Sequence, residues 1–109
     1  MMSIPQTLDM AWQQFQAGQW QQAEQLYLQV LQADPNQIDA LHLLGLIAGQ
    51  TGRYDLATDY LKATVRLKPD FAAAHNNLGN VFILQRKLEE AVDSFRQAAH
   101  SSPDFAVAH

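Results

Sequence analysis

His42, His75 and His109 recur 33 and then 34 residues apart, a spacing that invites a metal-centre reading because imidazole is the commonest metal ligand. Ligands of one ion must converge to about 2 Å from it. Equivalent places of stacked helical units instead lie roughly 10 Å apart, the spacing of packed helices. The histidines therefore read as structural, and no metal is expected. Glu89 and Glu90 form a carboxylate pair without a matching base. Their place at the start of a helical pattern suits the positive end of a helix dipole better than acid–base work. There is no cysteine, which removes thiolate nucleophiles, thiolate zinc sites and disulfides. No phosphate-cradling loop and no nucleophile with its base occur in the chain. The expectation is a segment with no enzyme activity of its own and no cofactor.

Charge narrows the partners. Seven Lys and Arg stand against eleven Asp and Glu, a formal net charge of −4. No Lys or Arg precedes Arg53, whereas Asp9, Glu24, Asp34 and Asp39 do. Such a surface repels phosphate backbones, so no nucleic-acid partner is expected. No apolar stretch reaches the length that spans a bilayer, and the start Met1-Met2-Ser3-Ile4-Pro5-Gln6 lacks the basic and apolar parts of a secretory signal. The expected setting is cytoplasmic, with no membrane partner.

The elements that position these residues repeat. Pro35, Pro69 and Pro103 stand 34 residues apart, and the chain divides into units 4–37, 38–71 and 72–105, with 106–109 opening a fourth. Within each unit apolar residues recur at three and four positions, the signature of a helix face. In the third unit these are Leu78, Val81, Phe82, then Leu88, Ala91, Val92, Phe95 and Ala98. Two helices per unit, six in all, are predicted. Ser3-x-x-Gln6 with Pro5 between them reads as a capping box with proline in the first turn. Asp34-Pro35, Lys68-Pro69 and Ser102-Pro103 end the second helices, since the residue before proline is pushed out of helical geometry. Gly18 and Gly52 occupy the place where a left-handed residue closes the first helix. Arg86 stands there in the third unit, implying either strain or a turn of different backbone geometry. Ala11, Gly45 and Gly79 share one place and Ala23, Ala57 and Ala91 another. An interior helical glycine costs roughly 1 kcal/mol against alanine, so Gly45 and Gly79 predict close helix crossings.

The pattern resembles the tetratricopeptide repeat. Unit three reads His75-x-x-Leu78-Gly79-x-x-Phe82, Ala91-x-x-x-Phe95, Pro103; unit two reads Leu41-x-x-Leu44-Gly45-x-x-Ala48, Ala57-x-x-x-Leu61, Pro69; unit one keeps Ala11, Ala23, Tyr27 and Pro35. The resemblance implies an all-α, right-handed α-solenoid of stacked antiparallel helix pairs whose first helices line a concave groove. The run from Lys68 to Asn80 is similar in style to the arrays of O-linked N-acetylglucosamine transferases and bacterial relatives. There an asparagine two places before the glycine grips peptide backbone, and only Asn77 matches, with Asp9 and Leu43 at the equivalent places.

With the first helices lining a groove, its inward residues are Leu8, Trp12, Phe15 and Gln16 in unit one and Asp39, His42, Leu46 and Gln50 in unit two. Unit three offers Asn76, Asn77, Asn80, Ile83 and Leu84. An apolar strip with amides at one end suits a peptide or protein partner. Equally, Trp12, Phe15 and Leu46 are large enough to serve as packing between units one and two. The basic residues of a carboxylate clamp are missing from these places. The expected function is protein–protein interaction, with two alternatives: the substrate-recruiting array of a glycosyltransferase, or a self-associating structural array. No polar capping helix follows unit three, which reads as the N-terminal part of a larger protein. Val92, Phe95 and Ala99 are then expected to expose apolar surface and to join copies end to end as a homo-oligomer.

Overall fold

A computed structural model of the chain describes residues 2–101, and among these every regular element is an α-helix. The six are α1 Ile4–Gln16, α2 Trp20–Ala33, α3 Ile38–Gln50, α4 Tyr54–Leu67, α5 Ala72–Leu84 and α6 Leu88–Ser101. Each boundary in one unit recurs 34 residues later in the next. The three-residue links within each pair force the second helix back along the first. Contacts are most extensive within the pairs and next between neighbouring units, giving a stack of 43 × 25 × 24 Å.

Local chemistry accounts for the ends. Ser3 Oγ accepts from the Gln6 amide at 3.3 Å while Gln6 Oε1 accepts from the Ser3 amide at 3.0 Å, completing the capping box. Gln37 Oε1 caps α3 by accepting from the Ala40 amide at 3.0 Å. Asp34 and Lys68, each before a proline, leave helical geometry with φ −144° and −136°. Ser102-Pro103 and the opening of a fourth unit lie outside the described residues.

All three turns within the pairs are built alike. Gly18, Gly52 and Arg86 have φ of 79°, 80° and 63°. The amides that follow, of Gln19, Arg53 and Lys87, donate to the carbonyls of Gln14, Ala48 and Phe82 at 2.8 Å in each case. This is the reverse bond of a Schellman ending. Of the two readings for Arg86, strain holds: its turn has the same geometry as the glycine turns.

The small residues sit where helices cross. A Cβ on Gly45 would lie 2.7 Å from Leu61 Cγ, and one on Gly79 would lie 2.7 Å from Phe95 Cε1. One buried cluster joins Ala11, Ala23, Tyr27 and Val30 to Leu44 and Ile47 across units one and two. A second joins Ala57 and Leu61 to Leu78, Val81, Phe82 and Ala91 across units two and three. The core is thus shared between units, as a repeat stack requires.

The two ends of the stack differ. Ala40, Leu44, Ile47 and Ala48 of α3, like Ala74, Leu78, Val81 and Phe82 of α5, are buried. At the same places α1 carries Gln6, Met10, Gln13 and Gln14, so the first unit presents three amides and a methionine where its successors present apolar side chains. At the other end Val92 is 48% exposed and Leu88 64%. Phe95 departs from the expectation of exposure: it is half-buried because its ring covers Gly79. Ala99 is half-buried as well.

Candidate binding groove

The first helices of units two and three, α3 and α5, enclose a recess of about 160 Å³. Leu46, Gln50, Asn77, Asn80 and Leu84, all predicted groove residues, line it together with Gly45, Gly49, Leu61 and Val81. Gly45, Gly49, Leu61 and Val81 were not among the predicted groove residues, and of these Gly49 does most to shape the space. It occupies the place of Phe15 and Ile83, and the absence of a side chain there opens the space between Leu46 and Val81. A methyl group at Gly49 would meet Val81 at an ordinary 3.7 Å, so its effect is room rather than a forced crossing.

A second recess, of about 290 Å³, lies between units one and two and is lined by Leu8, Asp9, Trp12, Tyr27, Asp39 and Leu43. Leu8, Trp12 and Asp39 were predicted, and Asp9, Leu43 and Tyr27 were not. Asp9 and Leu43 share the place of Asn77, so one register position contributes to both recesses. Burial first, and the nearby Asp39 charge second, push the Tyr27 hydroxyl up to about 12.

The remaining predicted residues stand apart from both recesses. Phe15 packs on the core of units one and two, as does Leu46 with part of its surface, and Phe15 stacks on Trp12 with ring centroids 5.6 Å apart. Trp12 itself is 46% exposed. Gln16 is exposed, Asn76 half-buried, and Ile83 exposed beside the α5 terminus. His42 is enclosed between Phe71, at 4.7 Å between ring centroids, and Asn77, whose Nδ2 donates to His42 Nε2 at 2.9 Å. Burial holds its pKa below the ordinary imidazole value, more than Asp39 raises it. His75 is also structural: its Nε2 donates to the Pro69 carbonyl at 2.7 Å. Among the described residues no cluster of three His, Asp or Glu side chains could hold a metal ion. No described helix is long and apolar enough to cross a membrane.

Between units the walls are tied by polar contacts. Arg53 Nη2 pairs with Glu24 Oε2 at 2.6 Å, and Gln85 Nε2 donates to Asp55 Oδ1 at 2.8 Å. The first ties unit one to unit two and the second ties unit two to unit three.

The sequence matches the Tetratricopeptide repeat family over residues 8–69 and again over 42–104. The chain belongs to the tetratricopeptide repeat family. Among curated proteins it is 30% identical over 89 residues to the UDP-N-acetylglucosamine–peptide N-acetylglucosaminyltransferase of Caenorhabditis elegans, covering 82% of this chain and 8% of that protein. Among solved structures it superposes on a mutant O-GlcNAc transferase of Thermobaculum terrenum with a TM-score of 0.90 and 34% identity, over 96% of this chain and 21% of that one. The first tetratricopeptide repeat domain of Spaghetti, solved with an HSP90 peptide, superposes with a TM-score of 0.88 at 18% identity, over 93% of this chain and 80% of that one. The chain spans less than a tenth of its curated transferase relative and about a fifth of the solved one. Tetratricopeptide repeats are a non-catalytic fold of protein–protein interaction, and this chain has their right-handed solenoid architecture.

Proposed function

We propose that the chain is a cytoplasmic interaction module, organised as units 4–37, 38–71 and 72–105, that holds an extended peptide segment along α1, α3 and α5. The observation that carries the reading is the recess between α3 and α5. Its wall combines Leu46 and Leu84 with the amides of Gln50, Asn77 and Asn80 and contains no charged group. Amide side chains can both donate to and accept from a peptide main chain, and the leucines and the open space at Gly49 suit an aliphatic side chain. The test is selection of peptides from a random library on the immobilised chain, followed by affinity measurement on Asn80→Trp. Asn80 is exposed, so the indole fills the recess without disturbing the core, and circular dichroism verifies the helices. Selected peptides should bind the variant at least about ten-fold more weakly, a loss of about 1.4 kcal/mol. Equal affinity would refute the groove.

A second reading is favoured by the 34% identity to the Thermobaculum enzyme: the module recruits substrate for a glycosyltransferase. Detection of a glycosyltransferase domain in the same polypeptide would support it, and its absence from the full-length gene product would sink it. A third reading is self-association, supported by the exposure of Leu88 and Val92 beside half-buried Phe95 and Ala99. The amide-rich face of α1 is a poor match for that apolar end, which favours pairing of two like ends over head-to-tail stacking.

A further inference from the structure

The recess between units one and two differs in chemistry from the one beside it. Its walls carry two carboxylates, Asp9 from α1 and Asp39 from α3, together with Trp12 and Tyr27. Asp39 lies in the first turn of α3, where a negative charge also suits the helix dipole. Asp9 lies mid-helix in α1 and serves no helix end. Neither carboxylate has an ion-pair partner among the described residues, where the one salt bridge joins Arg53 to Glu24. No Lys or Arg occurs at all before Arg53.

Tyr27 supplies an independent observation. It is only 2% exposed and lines the recess. Since no buried side-chain polar atom among the described residues lacks a partner, its hydroxyl, which makes no side-chain hydrogen bond to them, reaches solvent. A hydroxyl on an otherwise buried ring that meets water only at a recess can exchange that water for an outside donor. Trp12, 46% exposed beside it, offers the aromatic face to which ammonium and guanidinium groups are drawn.

We propose that the recess formed by Asp9, Trp12, Tyr27 and Asp39 is a binding site for a cationic side chain, lysine or arginine, of the bound partner. The carboxylates balance the charge, the indole covers the cation, and the Tyr27 oxygen accepts one N–H. Leu8 and Leu43 line the aliphatic stem. At about 290 Å³ the space matches one long side chain rather than a whole ligand. The inference rests on the groove reading and deepens it: a partner would place an aliphatic side chain at the α3–α5 recess and a basic one at this recess.

The probes are single amino-acid amides, so the test needs no knowledge of the partner. Nα-acetyl-arginine methylamide and its neutral counterpart Nα-acetyl-norleucine methylamide are titrated into the isotopically labelled full chain by amide and indole NMR. Expected are shifts at Asp9, the Trp12 indole, Asp39 and Leu43 with the arginine probe alone. Its affinity should fall about five-fold or more between low salt and roughly half-molar salt, because the contact is ionic and partly exposed. Asp9→Asn with Asp39→Asn should abolish the shifts. The inference is overturned if norleucine produces the same shifts, if the shifts map elsewhere, or if they survive the double variant. The wild-type salt series decides the matter without any variant. Loss of these shifts while Asn80→Trp still blocks selected peptides removes the cation site and leaves the groove. The opposite pattern removes the groove and leaves the cation site.

Discussion

Asn77 of α5 donates from Nδ2 to His42 Nε2 of α3 across 2.9 Å, so the asparagine that most resembles a peptide-gripping residue has its amide nitrogen engaged by the neighbouring unit. The same residue also lines the α3–α5 recess. The bond requires a neutral imidazole, since a protonated ring has no lone pair to accept with.

From this follows a pH dependence of stability. The His42 pKa is lowered in the folded chain, so the unfolded chain binds more protons near and below pH 6.5, the ordinary value. The stabilisation is complete above that value and is lost as pH falls through the lower folded value. Urea denaturation at neutral pH and at about pH 5 should show the acid loss. His42→Gln should diminish it, and an unchanged acid loss in that variant would assign it to other groups.

Gly45→Ala should destabilise more than Gly79→Ala, although both add a methyl group 2.7 Å from a neighbour. Leu61, which Gly45 meets at Cγ, is fully buried and cannot withdraw. Phe95 is half-buried and can turn its ring outward. Overpacking of about 1–3 kcal/mol, offset by about 1 kcal/mol of helix propensity, leaves a clear net loss at Gly45 and a smaller one at Gly79. Thermal melts rank the two, and the reverse order would contradict the packing account.

Arg86→Gly should stabilise the chain by about 0.5–1 kcal/mol, because an L side chain at φ 63° carries left-handed strain that glycine lacks. Gly18→Ala should cost about 1 kcal/mol by the same logic, with nothing within 4 Å of the added methyl to confuse the reading. Paired denaturant titrations measure both.

Val92→Asp and Leu88→Lys should lower any concentration-dependent association, since both side chains stand about half or more exposed at the α6 end. Sedimentation of the wild type and the double variant over a hundred-fold concentration range, roughly the span in which a micromolar dimer dissociates, checks this. A wild type that stays monomeric throughout would leave this apolar end without a role in pairing.

Much of this architecture was legible because the 34-residue period repeats chemistry as well as spacing. Pro35 and Pro69, the Ser3–Gln6 box and Gly45 and Gly79 each carry a local steric reason for their structural role. What escaped the reading depended on other units. The backbone of Arg86 follows the glycine turns because two flanking helices impose their angle, and intrinsic preference yields to that packing. Phe95 is drawn inward by the gap at Gly79, and an exposure pattern taken from α6 alone does not include α5. In the groove, Gly49 passed unnoticed since it has no side chain to suggest a role, yet its place in the register of Phe15 and Ile83 was the available sign. The His42–Asn77 bond joins residues 35 positions apart, beyond the reach of any pattern within one unit.

The three turns at Gly18, Gly52 and Arg86 also set the order of events in time. Each helix pair can close on itself before touching the others, so the chain folds from local contacts and is expected to do so rapidly. A pair whose turn resists the left-handed well nucleates less often than its neighbours. The first two pairs would then template the third, and stopped-flow refolding should change little on Arg86→Gly while unfolding slows. Equal acceleration of folding would instead place the last turn in the nucleus. A repetitive backbone thus acquires a direction through the one turn that departs from glycine.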